Sequence, residues 1–236
     1  EKPEGICYVL NNVAEKTNFD KISIFHFFEE YFLDNHNIRF SQAYYLTDKY
    51  KDENGNLEKI KKKIITKFDS LISFSLYNLI RDNDYISVEL GISLNRINSI
   101  YFFCKKESIL FDINIFIKYL NEFFKIEYGY VYKGRLDKSI EGFIQSDVDS
   151  AKYVEGTTKT SREDLMRWRF NCEKLAEGYF RDIFHVNIIN TKHLENKIDN
   201  KTIKEIIKES NLGKVEKITS NIYCWSLDET ELKRAR

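Results

Sequence analysis

The spacing of apolar and polar positions predicts strands grouped around helices. Residues 6–10 are short and β-like. Asp20 is placed to cap a helix whose face is Ile24, Phe25, Phe28, Tyr31 and Phe32. That face is wide, so the helix is expected to lie on a sheet. Residues 40–46 read as a strand, and residues 48–56 as a solvated loop because of their charge and an Asn-Gly step. Leu57, Ile60, Ile64 and Phe68 recur at helical spacing, with Lys61, Lys62 and Lys63 beside them. Residues 71–80 are rich in β-formers. Ile86, Val88, Leu90, Ile92 and Leu94 alternate with polar or small residues, the period of a half-buried strand. Residues 95–98 then turn and residues 99–104 return. Asp112 is placed to cap a helix with Ile113, Phe116, Ile117, Leu120, Phe123 and Phe124 on one face, and residues 128–132 form a further strand. This order predicts an α+β fold, a mostly antiparallel sheet flanked by helices.

Residues 133–160 break the periodicity. They carry Glu141, Asp147, Asp149 and Glu155 among the apolar Phe143, Ile144, Tyr153 and Val154. Order returns at Ser161, with Asp164 at capping-box spacing. Leu165, Trp168, Cys172, Leu175, Ala176 and Tyr179 then hold one helical stripe for about five turns. Asn190 and Thr191 restart a helix, and Ile203, Ile206 and Ile207 mark another that stops near Gly213. Residues 215–219 and 222–227 form a closing hairpin around Ser220 and Asn221. The C-terminal half is thus expected to be helical and to end in a β-hairpin.

Composition narrows the function classes. Hydrophobic residues make up 42% of the 236 residues and aromatics 15%, enough for a well-packed core. Pro3 is the sole proline and there are nine glycines, so no Pro/Gly-rich linker separates domains, and residues 1–236 read as one domain. Lys+Arg and Asp+Glu are equal at 37, so no net field favours nucleic acid or a membrane surface. The lysines from Lys59 to Lys67, near Tyr50, read as a solvated helix face. No apolar run is long enough to span a bilayer, and the first residues lack the pattern of a signal peptide. Cys7, Cys104, Cys172 and Cys224 are far apart and His26 and His36 have no carboxylate at ligand spacing. No metal or cofactor is expected, and a reducing cytoplasm is the expected compartment.

The richest stretch is residues 173–194, EKLAEGYFRDIFHVNIINTKHL. It is expected to begin as a helix bearing Leu175, Ala176, Tyr179 and Ile183. It then passes through aromatic, Asn and β-branched residues into the helix that carries His193 and Leu194. The order of the Arg181-Asp182 pair, Asn187 and the His193-Leu194 pair, followed by Gly213 and a last strand bearing Trp225, resembles bacterial immunity proteins of the immunity protein 52 type. The resemblance covers chiefly the second half. It implies a protein that binds a cognate toxin, secreted or delivered between competing bacteria, and blocks it by occlusion without chemistry, as a monomer or small homo-oligomer. In that reading Arg181, Asp182, Asn187, His193 and Trp225 are structural. The expected toxin contact is the acidic segment, through Glu141, Phe143, Asp147, Asp149, Tyr153 and Glu155, with Tyr130 and Tyr132 of the preceding strand. Core packing is the ordinary role of such a tyrosine row. The competing reading is a hydrolase or transferase using Asp182, His185 and His193, where a histidine beside a carboxylate serves as a general base.

Overall fold

The first apolar run, Glu4–Asn11 (β1), becomes the middle of a sheet because both its faces carry residues that need cover. In the computed structural model the described residues are 4–11, 14–15, 21–80, 85–93, 99–105, 111–135 and 172–236. After β1 come Ala14–Glu15 (β2), Lys21–His36 (α1), Gln42–Thr47 (β3), Asp52–Asn56 (β4) and Leu57–Lys67 (α2). Leu71–Ile80 (β5), Tyr85–Ser93 (β6), Ser99–Lys105 (β7), Ile113–Phe123 (α3), Phe124–Lys125 (β8) and Tyr128–Arg135 (β9) follow. A 3-10 turn, Cys172–Leu175, opens the C-terminal part, which holds Val186–Asn190 (β10) and Thr191–Glu195 (α4). Lys197–Ile198 (β11), Lys201–Thr202 (β12) and Ile203–Glu209 (α5) lead to the hairpin of Lys214–Lys217 (β13) and Ile222–Ser226 (β14), then to Glu229–Ala235 (α6).

Ten strands form one sheet in the order β13-β14-β10-β9-β1-β7-β6-β5-β3-β4, and every neighbouring pair is antiparallel. Helices α1, α2 and α3 lie on its first face. Phe25, Phe28 and Phe32 of α1, Ile60 and Ile64 of α2, and Phe116, Ile117 and Leu120 of α3 pack on Phe74, Leu76, Leu90 and Phe102 of the sheet. The tight contact of Phe32 with Phe102, 4.6 Å between ring centroids, pins α1 at mid-sheet. Asp112 caps α3 by accepting from the Asn114 and Ile115 amides, as its position in the sequence predicts. The second face, over β14, β10, β9, β1 and β7, is covered by the C-terminal segments, with Tyr101, Phe103, Tyr128, Tyr130 and Trp225 beneath Leu175, Phe184, Leu194, Ile207 and Leu232.

Three expectations need correction. Residues 52–56 are not loop but the edge strand β4, paired with β3 from Asp52 to Asn56. An edge strand needs only one paired side and tolerates charge, which also guards it against a second chain. The C-terminal half is not helical: its described part is mostly strands, short helices and turns. The helix expected to run through residues 173–183 is a single 3-10 turn followed by a turn and irregular backbone. Leu175 still reaches the core, but Gly178 adopts φ +99°, which breaks the helix there. Residues 161–171 lie outside the described residues. The hairpin and the helix at Ile203 form as expected, and α6 extends the chain beyond the last expected strand.

Candidate functional site

The segment between Leu175 and Asn190 is held to the sheet by polar side chains acting on backbone. Tyr128 is fully buried, and its hydroxyl donates to the Asp182 carbonyl at 3.2 Å while accepting from the Arg181 amide at 3.3 Å. Arg181 Nη1 donates to the Tyr130 hydroxyl at 2.7 Å, and its guanidinium lies 5.7 Å from the centre of that ring. Burial drives the Tyr130 hydroxyl above its usual range, and Arg181 works against that shift. Asp182 Oδ1 accepts from the Ile183 amide at 2.7 Å and faces Arg236 Nε at 3.6 Å. Arg236 in turn donates twice to the Ile183 carbonyl, which ties the end of α6 to the same turn.

Asn187 behaves as a piece of strand. Its Oδ1 accepts from the Phe184 amide at 2.9 Å, and its Nδ2 donates to the Phe184 carbonyl at 2.6 Å. The side-chain amide thereby satisfies both backbone groups of a residue that leaves the sheet. Phe184 stacks on Tyr130 at 4.4 Å as a result.

Asn190 and His193 form a capping box at the start of α4. Asn190 Oδ1 accepts from the His193 amide, and His193 Nδ1 accepts from the Asn190 amide at 3.2 Å. The same Nδ1 also lies 2.9 Å from Asn190 Oδ1. Asn190 Nδ2 reaches Glu127 at 2.9 Å and the Ala176 carbonyl at 3.2 Å. Glu127 is buried and also pairs with Lys125. His193 is completely buried, lies parallel to Tyr128 at 5.3 Å, and has its pKa lowered from 6.5 to about 4 by burial. Trp225 Nε1 donates to the Leu212 carbonyl at 2.7 Å, and Gly213 follows with φ +74°.

His185 sits apart at the rim. Its Nδ1 faces the Leu227 carbonyl at 3.2 Å and its Nε2 faces Glu229 at 3.3 Å. Asp182, His185 and His193 therefore each have separate partners, and no hydrogen bond among the described residues joins them. Both nitrogens of His185 face acceptors, and His193 has no exposed surface. The donor–base–orienter chain that a triad needs is not assembled by these contacts.

Tyr128, Tyr130 and Tyr132 do share one strand face, but that face is the inner one: Tyr130 is 0% exposed and Tyr132 4%. The C-terminal layer covers them, as in the core-packing role ordinary for such a row. Glu141, Phe143, Asp147, Asp149, Tyr153 and Glu155 lie outside the described residues. Cys7, Cys104 and Cys224 are free and buried, and burial pushes the Cys104 thiol up to about 12. Sequence reasoning passed over Glu127, Asn190's contact to it, and Arg236. Only the Asp228 and Glu231 spacing, a capping box at the start of α6, was a readable signal for that helix.

Among the described residues no cluster of His, Cys, Asp or Glu is arranged to hold a metal ion, and no helix is long and apolar enough to cross a membrane. Comparison with known proteins finds no matching family model, no matching curated protein and no matching solved structure.

Proposed function

We propose that this chain is an immunity-type binding protein that neutralises a cognate toxin by occupying its working surface. One observation supports this reading over an enzymatic one. The polar residues that make up the ordered signature, Arg181, Asp182, Asn187 and His193, are engaged with backbone and neighbouring rings inside the C-terminal layer. A signature of this kind preserves a shape, and a preserved shape is what a partner recognises. The proposed contact is the acidic segment around Asp147, Asp149 and Glu155, with Phe143 and Tyr153 as apolar anchors. Its charge suits a basic cleft, as in a toxin that handles phosphates or nucleotides, and favours fast encounter.

The test is co-expression with a candidate toxin domain taken from a neighbouring gene. The expected result is restored growth of a host otherwise arrested by that toxin, with the two chains co-eluting as a complex. Arrested growth despite expression of both chains would refute the assignment. Reversing Asp147, Asp149 and Glu155 to Lys should slow association, most clearly at low salt, and leave the melting temperature unchanged.

A further inference from the structure

At one end of the sheet β10 stops at Val186, paired with Val131, while β9 runs on beside β1 to Arg135. The chain leaves the sheet there through His185 and Phe184, and α6 crosses below. The space between these parts is a pocket of about 380 Å³, within the range of roughly 300–1,000 Å³ usual for small-ligand sites. Its wall is apolar: Ile6, Tyr8, Phe111, Ile113, Val131 and Val186. Tyr8 and Phe111 meet at 4.7 Å with their ring planes tilted by 59°, and they give one side an aromatic wall.

The charged groups lie at the rim instead. Lys133, His185, Glu229 and Arg236 line it. Glu229 faces His185 and Lys233, and Arg236 faces Asp182. Counting these rim groups with their partners, three cations (Lys133, Lys233, Arg236) stand against two carboxylates (Glu229, Asp182), before any charge on His185. An apolar interior with a cationic excess at its mouth fits a ligand with an apolar body and one anionic head.

We propose that this pocket binds a small amphipathic carboxylate, with the hydrocarbon against the Tyr8–Phe111 wall and the carboxylate at Lys133. The occupancy of this site does not depend on the assignment of the acidic segment to toxin contact. Burial of the hydrocarbon supplies the driving force, and the lysine sets the head-group preference.

Calorimetric titration of the full chain with octanoate, and with octanol as its uncharged counterpart, tests the proposal. The expected result is saturable one-to-one binding of octanoate, with octanol weaker by at least tenfold. Lys133→Glu, a change at the rim, should weaken octanoate by at least tenfold and leave octanol unaffected. Val131→Trp, with folding checked by its melting curve, should abolish binding of both. Absence of saturable octanoate binding at millimolar concentration would overturn the proposal. So would equal affinity for octanol, or an unchanged affinity in Lys133→Glu.

Discussion

His193 shows how a polar residue is used here for shape. It has no exposed surface, its Nδ1 closes the capping box of α4, and its ring lies flat against Tyr128. Burial holds its pKa near 4, below the 6.5 of an unconstrained histidine. The unfolded chain therefore binds the proton more readily between those values. Stability is fully present above 6.5 and is lost as pH falls toward 4, by about 3 kcal/mol at most. Thermal melts from pH 7 to pH 4.5 should show this decline, and His193→Gln should flatten it. An unchanged slope in that variant would remove His193 as its source. Asp182 acts at the same scale. Replacing it with Ala strips the Ile183 amide and Arg236 of an acceptor and should cost about 1–3 kcal/mol in denaturant unfolding. A variant with wild-type stability that had lost an enzymatic activity would instead favour a catalytic Asp182.

Elements with a strong local signal were legible in the sequence, and those decided by distant parts of the chain were not. Helices α2 and α3 follow from their own apolar spacing and caps, with Ile60 and Ile64 or Phe116 and Leu120 buried as the period requires. Strand β4 was missed because a sheet edge carries almost no hydrophobic pattern: Asp52–Asn56 contains no large apolar residue. Helix α6 was missed because only Leu232 of its seven residues is buried. The stripe at Leu175 and Tyr179 overstated the helix, since apolar side chains in a tight turn and loop reach a core at similar spacing: Leu175 is buried and Tyr179 exposed. The final hairpin depends on one residue that sequence did identify. At Gly213 the backbone is left-handed, and an added Cβ would stand 2.1 Å from the Ser226 carbonyl oxygen. Gly213→Ala should destabilise the protein by more than about 1 kcal/mol. It should also speed hydrogen exchange in β14, since the Trp225 anchor on Leu212 is adjacent. Exchange and stability equal to wild type would show that the turn relaxes freely.

At the scale of the whole molecule, one antiparallel sheet carries helices on its first face and an irregular, hydrogen-bonded layer over half of its second. The antiparallel α+β architecture was readable from the order of elements. The second layer was not, because period-two spacing tells that Tyr128, Tyr130 and Tyr132 share a face but not that residues some fifty positions later will cover it. That layer draws the signature residues inward, and the function proposed for the chain is one of recognition. The most direct measurement is titration of the purified cognate toxin with this purified chain, following toxin activity and the intact mass of both. Neutralisation by occlusion predicts a linear fall in activity to zero at equimolar ratio, with both masses unchanged. Full toxin activity at equimolar ratio, or its loss at substoichiometric amounts with a change in toxin mass, would contradict the account.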